Sequence, residues 1–474
     1  HVEEGLVRYD RHGRLAPGIA ASWEQSDEKI VFHLRRDARW SDGSPVTAAD
    51  FVFAWRHIND PKTAAPYAAI MYPIANARKI QKGELPVRAL GVSAPDDHTL
   101  VVRLDAPCGY CLALMAHEAF LPVKQTFFER EGDQYGAEAS NLLYNGPFML
   151  TTWQHSARLV MKKNPYYWNR DAVGLNEINV AYITEDNRAR FNLFRDGRIA
   201  LVRLGAETVR DAATQGERIH TFASGGMAFL RFNLHEGHAT RNIDLRRAVQ
   251  LVFDPDEFVD KVIGIPGYRP AYSFFPGWLP GDKTRFLSEY PMAPPTIDPA
   301  AARKLIDKAR QALGQLPTMT ILTVTSPTGT RIAEYFQGLL KQKLGLDVRV
   351  DQQTFKQYLA KSRSGDFDLA LSSWYPDFND IVTFADLLAS WNPNNRGGYS
   401  DTEYDKYCLA LMHTADSAAR MADADRLQKI IKRDVPILPM AETGSAWLQD
   451  PKLVGVVRRQ IGPDPDYTYA RVVR

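Results

Sequence analysis

Two aromatic residues and a proline precede a carboxylate at Trp374-Tyr375-Pro376-Asp377. The residues before them, 367–373, read as an apolar strand that stops at this cluster. Ligands of open α/β sheets gather beyond the carboxyl ends of such strands. A carboxylate placed there, among aromatic rings, can hold a cationic group. The same residue type has a second use: an aspartate ahead of a helix accepts hydrogen bonds from its free N–H groups. A helix is predicted over 381–389, so residue types alone leave both uses of Asp377 open.

Other reactive residue types point to less. Cys108 and Cys111 form a C-x-x-C spacing after a predicted strand at 99–104. With no second such pair a zinc site is not expected, and a local disulfide or two free thiols both remain open. Cys408 shares a helical stripe with Tyr404, Leu411 and Met412 and is expected to be buried. His235 and His238 are one residue short of the spacing that would put both rings on one helix face. The sequence holds no phosphate-binding glycine loop, dinucleotide fingerprint or nucleophile elbow. No cofactor and no metal is therefore expected, and no nucleophile–base pair suggests an enzyme.

The elements that must position Asp377 follow a clear rhythm. Helix over 300–313, strand 319–324, helix 330–343, strand 346–351, helix 355–362 and strand 367–373 alternate strictly. That βαβαβ pattern predicts a parallel sheet with crossover helices, an α/β architecture, with Asp377 just past its last strand. Upstream, 244–252 has helical spacing and a further helix starts at Asp254-Pro255. A Pro/Gly-rich loop over 265–295 is long enough to be a candidate functional surface. The first part of the chain is β-rich: 30–34 alternates, 148–153 follows the turn Asn145-Gly-Pro147, and 158–162 extends again. Thr47 and Asp50 have the spacing of a capping box opening a helix over 51–57. A helix is predicted over 417–433, and the tail from Trp447 reads as strand.

Composition narrows the class. At 474 residues, two or three domains are expected. A formal net charge of +2 without long Lys/Arg runs implies neither nucleic acid nor a membrane surface as partner. Apolar runs fall far short of the ~20 residues that span a bilayer. No signal-peptide pattern is visible, and the chain opens inside an expected strand at 6–9, so a segment upstream of His1 is expected.

Several segments carry a family likeness. They include 16–23 (Ala-Pro-Gly-Ile-Ala-Ala-Ser-Trp), 32–46, 60–67 (Asp-Pro-Lys-Thr-Ala-Ala-Pro-Tyr), 97–100, 145–148, 164–168 (Asn-Pro-Tyr-Tyr-Trp), 244–248 and 374–377. In this order the chain resembles the large periplasmic solute-binding proteins of peptide ABC transporters, nearest to the oligopeptide and murein-peptide type. The resemblance implies a two-lobed periplasmic binding protein fold (type II, cluster C) with an extra β-rich domain, three domains in all. The implied division is 1–3 as a remnant of lobe I, 4–125 as the β-rich domain, 126–225 as lobe I, 226–443 as lobe II and 444–474 as the return to lobe I. The crossings near Gly225 and Thr443 would be hinges. It further implies a monomeric receptor, not an enzyme, periplasmic or extracytoplasmic and membrane-anchored. Such a receptor would deliver an oligopeptide or peptide-like ligand with a free amine to an ABC permease in the inner membrane.

The likeness also assigns roles. Asp377 falls on the aspartate that binds the ligand α-ammonium, and Ser373 lies on the edge that pairs with an extended peptide. Trp374, Tyr375 and Tyr67 line the cleft, and Phe355 and Leu359 line side-chain pockets. Departures are as informative. Positions that bind the peptide carboxylate fall on Leu371 and Gly329, and another pocket arginine falls on Ser362. A cleft tyrosine and asparagine fall on Arg203 and Leu204. An inter-segment disulfide falls on Gly226 and Tyr375. The expectation is a ligand whose amine is held by Asp377 and whose carboxylate is bound elsewhere, by Arg203 or Arg363. A non-peptide or modified solute (a cell-wall peptide, an opine, a sugar or a metal chelate) is the alternative.

Overall fold

The computed structural model describes residues 1–184 and 186–474. The chain divides into two compact units. The first comprises His1–Val202, His413–Ala415 and Gln449–Arg474; the second comprises Arg203–Met412 and Asp416–Leu448.

The first unit is built on antiparallel sheets. Strands β1 (Ala20–Gln25), β2 (Lys29–Leu34), β3 (Val92–Asp96) and β4 (Thr99–Arg103) stand in the order β1-β2-β4-β3. Along β2 the side chains of Ile30, Phe32 and Leu34 turn inward while Lys29 and His33 face water, the period-two pattern of a half-buried strand. Opposite them, in register, lie Val102 and Leu100. Helix α1 (Ala48–Asn59) buries Phe51, Ala54 and Trp55. At its start the Asp50 carboxylate accepts the Thr47 N–H at 2.9 Å and the Trp40 indole N–H at 3.1 Å. A second antiparallel sheet joins β5 (Phe148–Gln154), β6 (Arg158–Lys163) and β7 (Glu177–Val180). Cys108 and Cys111 are disulfide-bonded, which decides between the two alternatives. Residues 1–8 and the tail meet in a polar network: Tyr167 hydroxyl donates to Glu4 at 2.6 Å, and Arg8 donates to Tyr469 hydroxyl at 2.5 Å.

In the second unit a mixed sheet carries β8 (His220–Phe232), β9 (Met319–Val324), β10 (Val348–Gln353), β11 (Leu369–Trp374) and β12 (Ile437–Gln449). Their order is β12-β8-β11-β9-β10. The predicted alternation is present. Helix α2 (Ile243–Val252) and helix α3 (Pro299–Leu313) precede β9. The crossovers that follow are α4 (Pro327–Leu344) and α5 (Phe355–Ser364). β9 runs parallel to both β10 and β11. The parallel arrangement ends at β11, however, because its other neighbour, β8, runs antiparallel to it and to β12. The link from β8 to β9 runs through α2, the 265–295 segment and α3 rather than through a single crossover helix, so it does not force a parallel direction. The main core lies between the sheet and α2, α3 and α4, where Leu230, Phe232, Val249, Phe253, Ile306, Phe336 and Leu369 are buried.

Two further expectations change. The loop over 265–295 is not a free surface: Phe274, Phe275, Leu279 and Phe286 are buried, and Arg269–Pro270 pairs with β12. Its apolar residues anchor it. The strand expected from Trp447 begins ten residues earlier as β12, and beyond it the tail holds only the short pair Leu453–Val454 and Arg471–Val472. Helix α6 (Thr402–His413) keeps Cys408 fully buried, and α7 (Ser417–Asp434) follows. Among the described residues no helix is long and apolar enough to cross a membrane.

Candidate functional site

Strand β11 ends at Trp374, and Pro376 cannot donate to a ladder, so pairing stops there. The chain then turns through Asp377 into the short helix Val382–Ala385 and a 3-10 turn at Asp386–Leu388, less regular than the helix predicted over 381–389. The Asp377 N–H donates to Thr383 Oγ1 at 3.0 Å. The N-cap of this helix is Ile381, with no side-chain cap. Asp380 accepts the Val382 N–H at 3.0 Å and also pairs with buried Arg420 at 2.7 Å.

Its electrostatic neighbour is Asp386. Burial, then the Asp377 charge, pushes the Asp386 carboxyl up to about 7, partly offset by a hydrogen bond from Asn392. Two carboxyl groups thus share this corner. The spacing of nine residues hid this pairing, because nothing in the sequence marks a helix that short.

Ser373 and Tyr375 are exposed and Trp374 is half-buried. In register, Trp374 stands opposite Met227 and Ser373 opposite Ala228 of β8. The Trp374 indole N–H is buried and meets no acceptor among the described residues. The Tyr375 ring lies against Gly226, so closely that a Cβ there would stand 2.8 Å from the ring. The same glycine donates its N–H to Thr443 Oγ1 at 3.0 Å. At the two positions where the resemblance implies a disulfide, the structure has an aromatic ring packed on a bare backbone. Beside this point β8 and β12 shift register between Ala223/Met227 and Gly444/Glu442, and Gly225 adopts a positive φ of 77°.

Arg203 and Tyr375 meet electrostatically through Tyr268, a residue the sequence did not single out. The Tyr268 hydroxyl is pushed up by burial and by Tyr375, and drawn down by Arg203. Phe355 is 66 % exposed on α5 and stacks on Tyr358 at 6.5 Å. Leu359 packs on Leu322, Tyr358, Phe367 and Ala370, and Arg363 is exposed near the helix end. Tyr67 belongs to the first unit, where its ring stacks on His117 at 5.6 Å.

The two positions where a peptide carboxylate would be sought, and the pocket position at Ser362, have physical reasons for being non-cationic. Leu371 packs against the main core. Gly329 follows the N-cap Ser326, and a Cβ there would stand 2.6 Å from the Val324 carbonyl oxygen, so a histidine does not fit without displacing backbone. Ser362 is fully buried under α5.

The fold and this strand end define a solute-binding class: the family profile of bacterial extracellular solute-binding proteins, family 5, matches residues 14–396, and the chain belongs to that family. It is 30% identical over 475 residues to the periplasmic oligopeptide-binding protein OppA of Escherichia coli strain K12, covering 99% of this chain and 86% of that protein. It is 31% identical over 479 residues to the periplasmic murein peptide-binding protein MppA of the same organism, covering 99% and 87%. Among solved structures, OppA of Listeria monocytogenes bound to peptide superposes with a TM-score of 0.88 at 28% identity, covering 100% of this chain and 94% of that one.

Proposed function

We propose that this chain is the substrate-binding receptor of an ABC importer and takes oligopeptides or peptide-like ligands with a free amine. The observation that carries the reading is the strand end at Ser373–Asp377. There Asp377 follows the aromatic pair at the end of β11, and its carboxylate takes the ammonium of a ligand. An ammonium taken out of water needs a paired anion, since an unpaired one costs several kcal/mol. The exposed Ser373 edge supplies backbone groups for an extended ligand, and the unpartnered Trp374 indole N–H supplies a donor for a ligand carbonyl. Tyr67, Tyr375, Phe355 and Leu359 serve as cleft and pocket walls, and Arg203 and Arg363 as candidates for the ligand carboxylate.

The proposal extends to the division 1–3, 4–125, 126–225, 226–443 and 444–474, with hinge points near Gly225 and Thr443, where one hydrogen bond links the two segments. It further includes monomeric action, a place outside the cytoplasm, delivery to a membrane permease and no catalytic turnover of the peptide. Calorimetry against a free peptide and its N-acetylated form tests the central point. Acetylation should weaken binding about a hundredfold or more, and Asp377→Asn should remove most of that difference. Equal affinity of the wild-type chain for both peptides would remove Asp377 from its role. Mass spectrometry of whatever co-purifies tests the ligand class independently.

A further inference from the structure

The second unit contains a buried cation that the fold does not neutralise. Arg231 lies on β8, in register with Ala370 of β11 and Ile437 of β12, and is 6% exposed. Its one hydrogen bond is a long contact of 3.5 Å from Nη1 to Ser362 Oγ, and its guanidinium carbon stands 5.3 Å from the centre of the Phe229 ring. No carboxylate among the described residues pairs with it. Arg396, of the same sign, acts on it through space. Burial, with Arg396 adding to it, draws the guanidinium down to about 10.

Three other arginines are buried to a similar degree, and each has a carboxylate or backbone carbonyls as acceptors. Arg246 donates to the carbonyls of Thr240, Arg241, Asp434 and Val435. Arg420 pairs with Asp380 and donates to the Leu411 carbonyl. Arg459 pairs with Asp466. Against these, a desolvated guanidinium with a single long hydroxyl contact is costly to the chain on its own account. Its surroundings connect it to the strand end. Ser362 and Tyr358 both lie on α5, and the Tyr358 hydroxyl bonds to the Leu371 carbonyl and meets Ser372 Oγ, each at 2.9 Å, on β11. Arg231 therefore meets the helix that carries Phe355 and Leu359, at Ser362, which itself offers no charge.

We propose that Arg231, with the hydroxyl of Ser362, is a subsite for a carboxylate side chain of the ligand, so that the receptor selects acidic peptides. This rests on the peptide-binding reading and names the ligand class within it. A guanidinium presents paired N–H donors that match a carboxylate in plane, and a desolvated pair of this kind discriminates strongly against an uncharged amide.

The test is calorimetry with matched tetrapeptides carrying Glu, Gln or Lys at each of the first three positions in turn. At one position the wild-type chain should bind the Glu peptide about tenfold or more tighter than the Gln peptide, and the Lys peptide more weakly still. Arg231→Met, and Arg231→Gln as a second variant, should bind the Gln peptide about as well as the wild-type chain does and lose the preference for Glu. Thermal unfolding of both variants establishes that they are folded, since removal of an unpaired buried charge should not lower stability. Equal binding of Glu and Gln peptides by the wild-type chain, or an undiminished preference in folded variants, overturns the subsite while leaving peptide binding intact. Failure of every peptide to bind overturns the peptide-binding reading and the subsite with it.

Discussion

Asp386 gives the candidate site a pH dependence of definite sign. Its carboxyl titrates near 7 in the folded chain, well above the ~3.9 of an unfolded aspartate. A group whose folded value is raised stabilises the fold in its protonated form. That contribution is complete below about pH 4 and is lost as pH rises through about 7. Asp386→Asn should therefore gain stability relative to the wild-type chain between pH 5 and pH 8, measured as the difference in Tm at each pH. A constant difference would separate Asp386 from the Asp377 charge. If a ligand ammonium pairs with Asp377, it also draws the Asp386 value down, so peptide binding near pH 7 should release protons. The binding enthalpy should then differ between phosphate and Tris buffers in the wild-type chain and agree in Asp386→Asn. Gly226 allows a second residue-scale test. Gly226→Ala places a methyl group where the Tyr375 ring and Thr443 Oγ1 now stand, and should cost about 1–3 kcal/mol in denaturant unfolding. Tyr375→Ala in the same background should recover most of it.

At the scale of elements, the turn after β11 is held from below rather than by its own helix. Val382–Ala385 is too short to be stable by itself. What fixes it is the Asp380–Arg420 pair, with both partners about nine-tenths buried. Asp380→Ala leaves Arg420 as an uncompensated buried charge and should destabilise the second unit by about 3–5 kcal/mol in urea titration. Thr383→Val should cost only about 1 kcal/mol of stability, because it removes one acceptor, while weakening ligand affinity through the freed Asp377 backbone. Comparison of the two variants by calorimetry separates holding the turn from holding the ligand. This level also shows what could be read from the sequence. The strand end and the βαβαβ alternation were legible because a continuous apolar run, a proline stop and helix-period stripes are local signals. The Asp380–Arg420 pair was not legible, since its partners stand 40 residues apart and only the fold brings them together. Tyr268 and Arg231 were invisible for a related reason. Arg231 meets Ser362 across 131 residues, and such a meeting depends on strand order, which alternation does not specify. The antiparallel insertion of β8 between β11 and β12 belongs to the same class of information.

For the molecule as a whole, the two units differ in how their chain is distributed. The second is nearly one continuous stretch, broken only at 413–415, whereas the first draws on the beginning, that short segment and the tail. The first is also where residues far apart in sequence meet: Arg8 donates to Tyr469 across 461 residues, and a Cβ on Gly174 would stand 2.7 Å from the Ala470 carbonyl oxygen. Closing a flexible loop of that length costs about 5 kcal/mol of chain entropy before any contact rewards it. Folding of the second unit shortens the free chain between the two ends by about half, which lowers that cost by only about 0.6 kcal/mol. Contacts between the two ends should therefore form late: pulsed hydrogen exchange during refolding should show β9 and β11 protected before the Tyr467 N–H, which donates to His1, and simultaneous protection would contradict this order. On a ribosome the consequence is sharper. Residues 1–8 are made long before the tail residues they bond, so their polar network closes only after Tyr469 has been synthesised. A segment that cannot lock early stays free to move for as long as synthesis of the chain lasts.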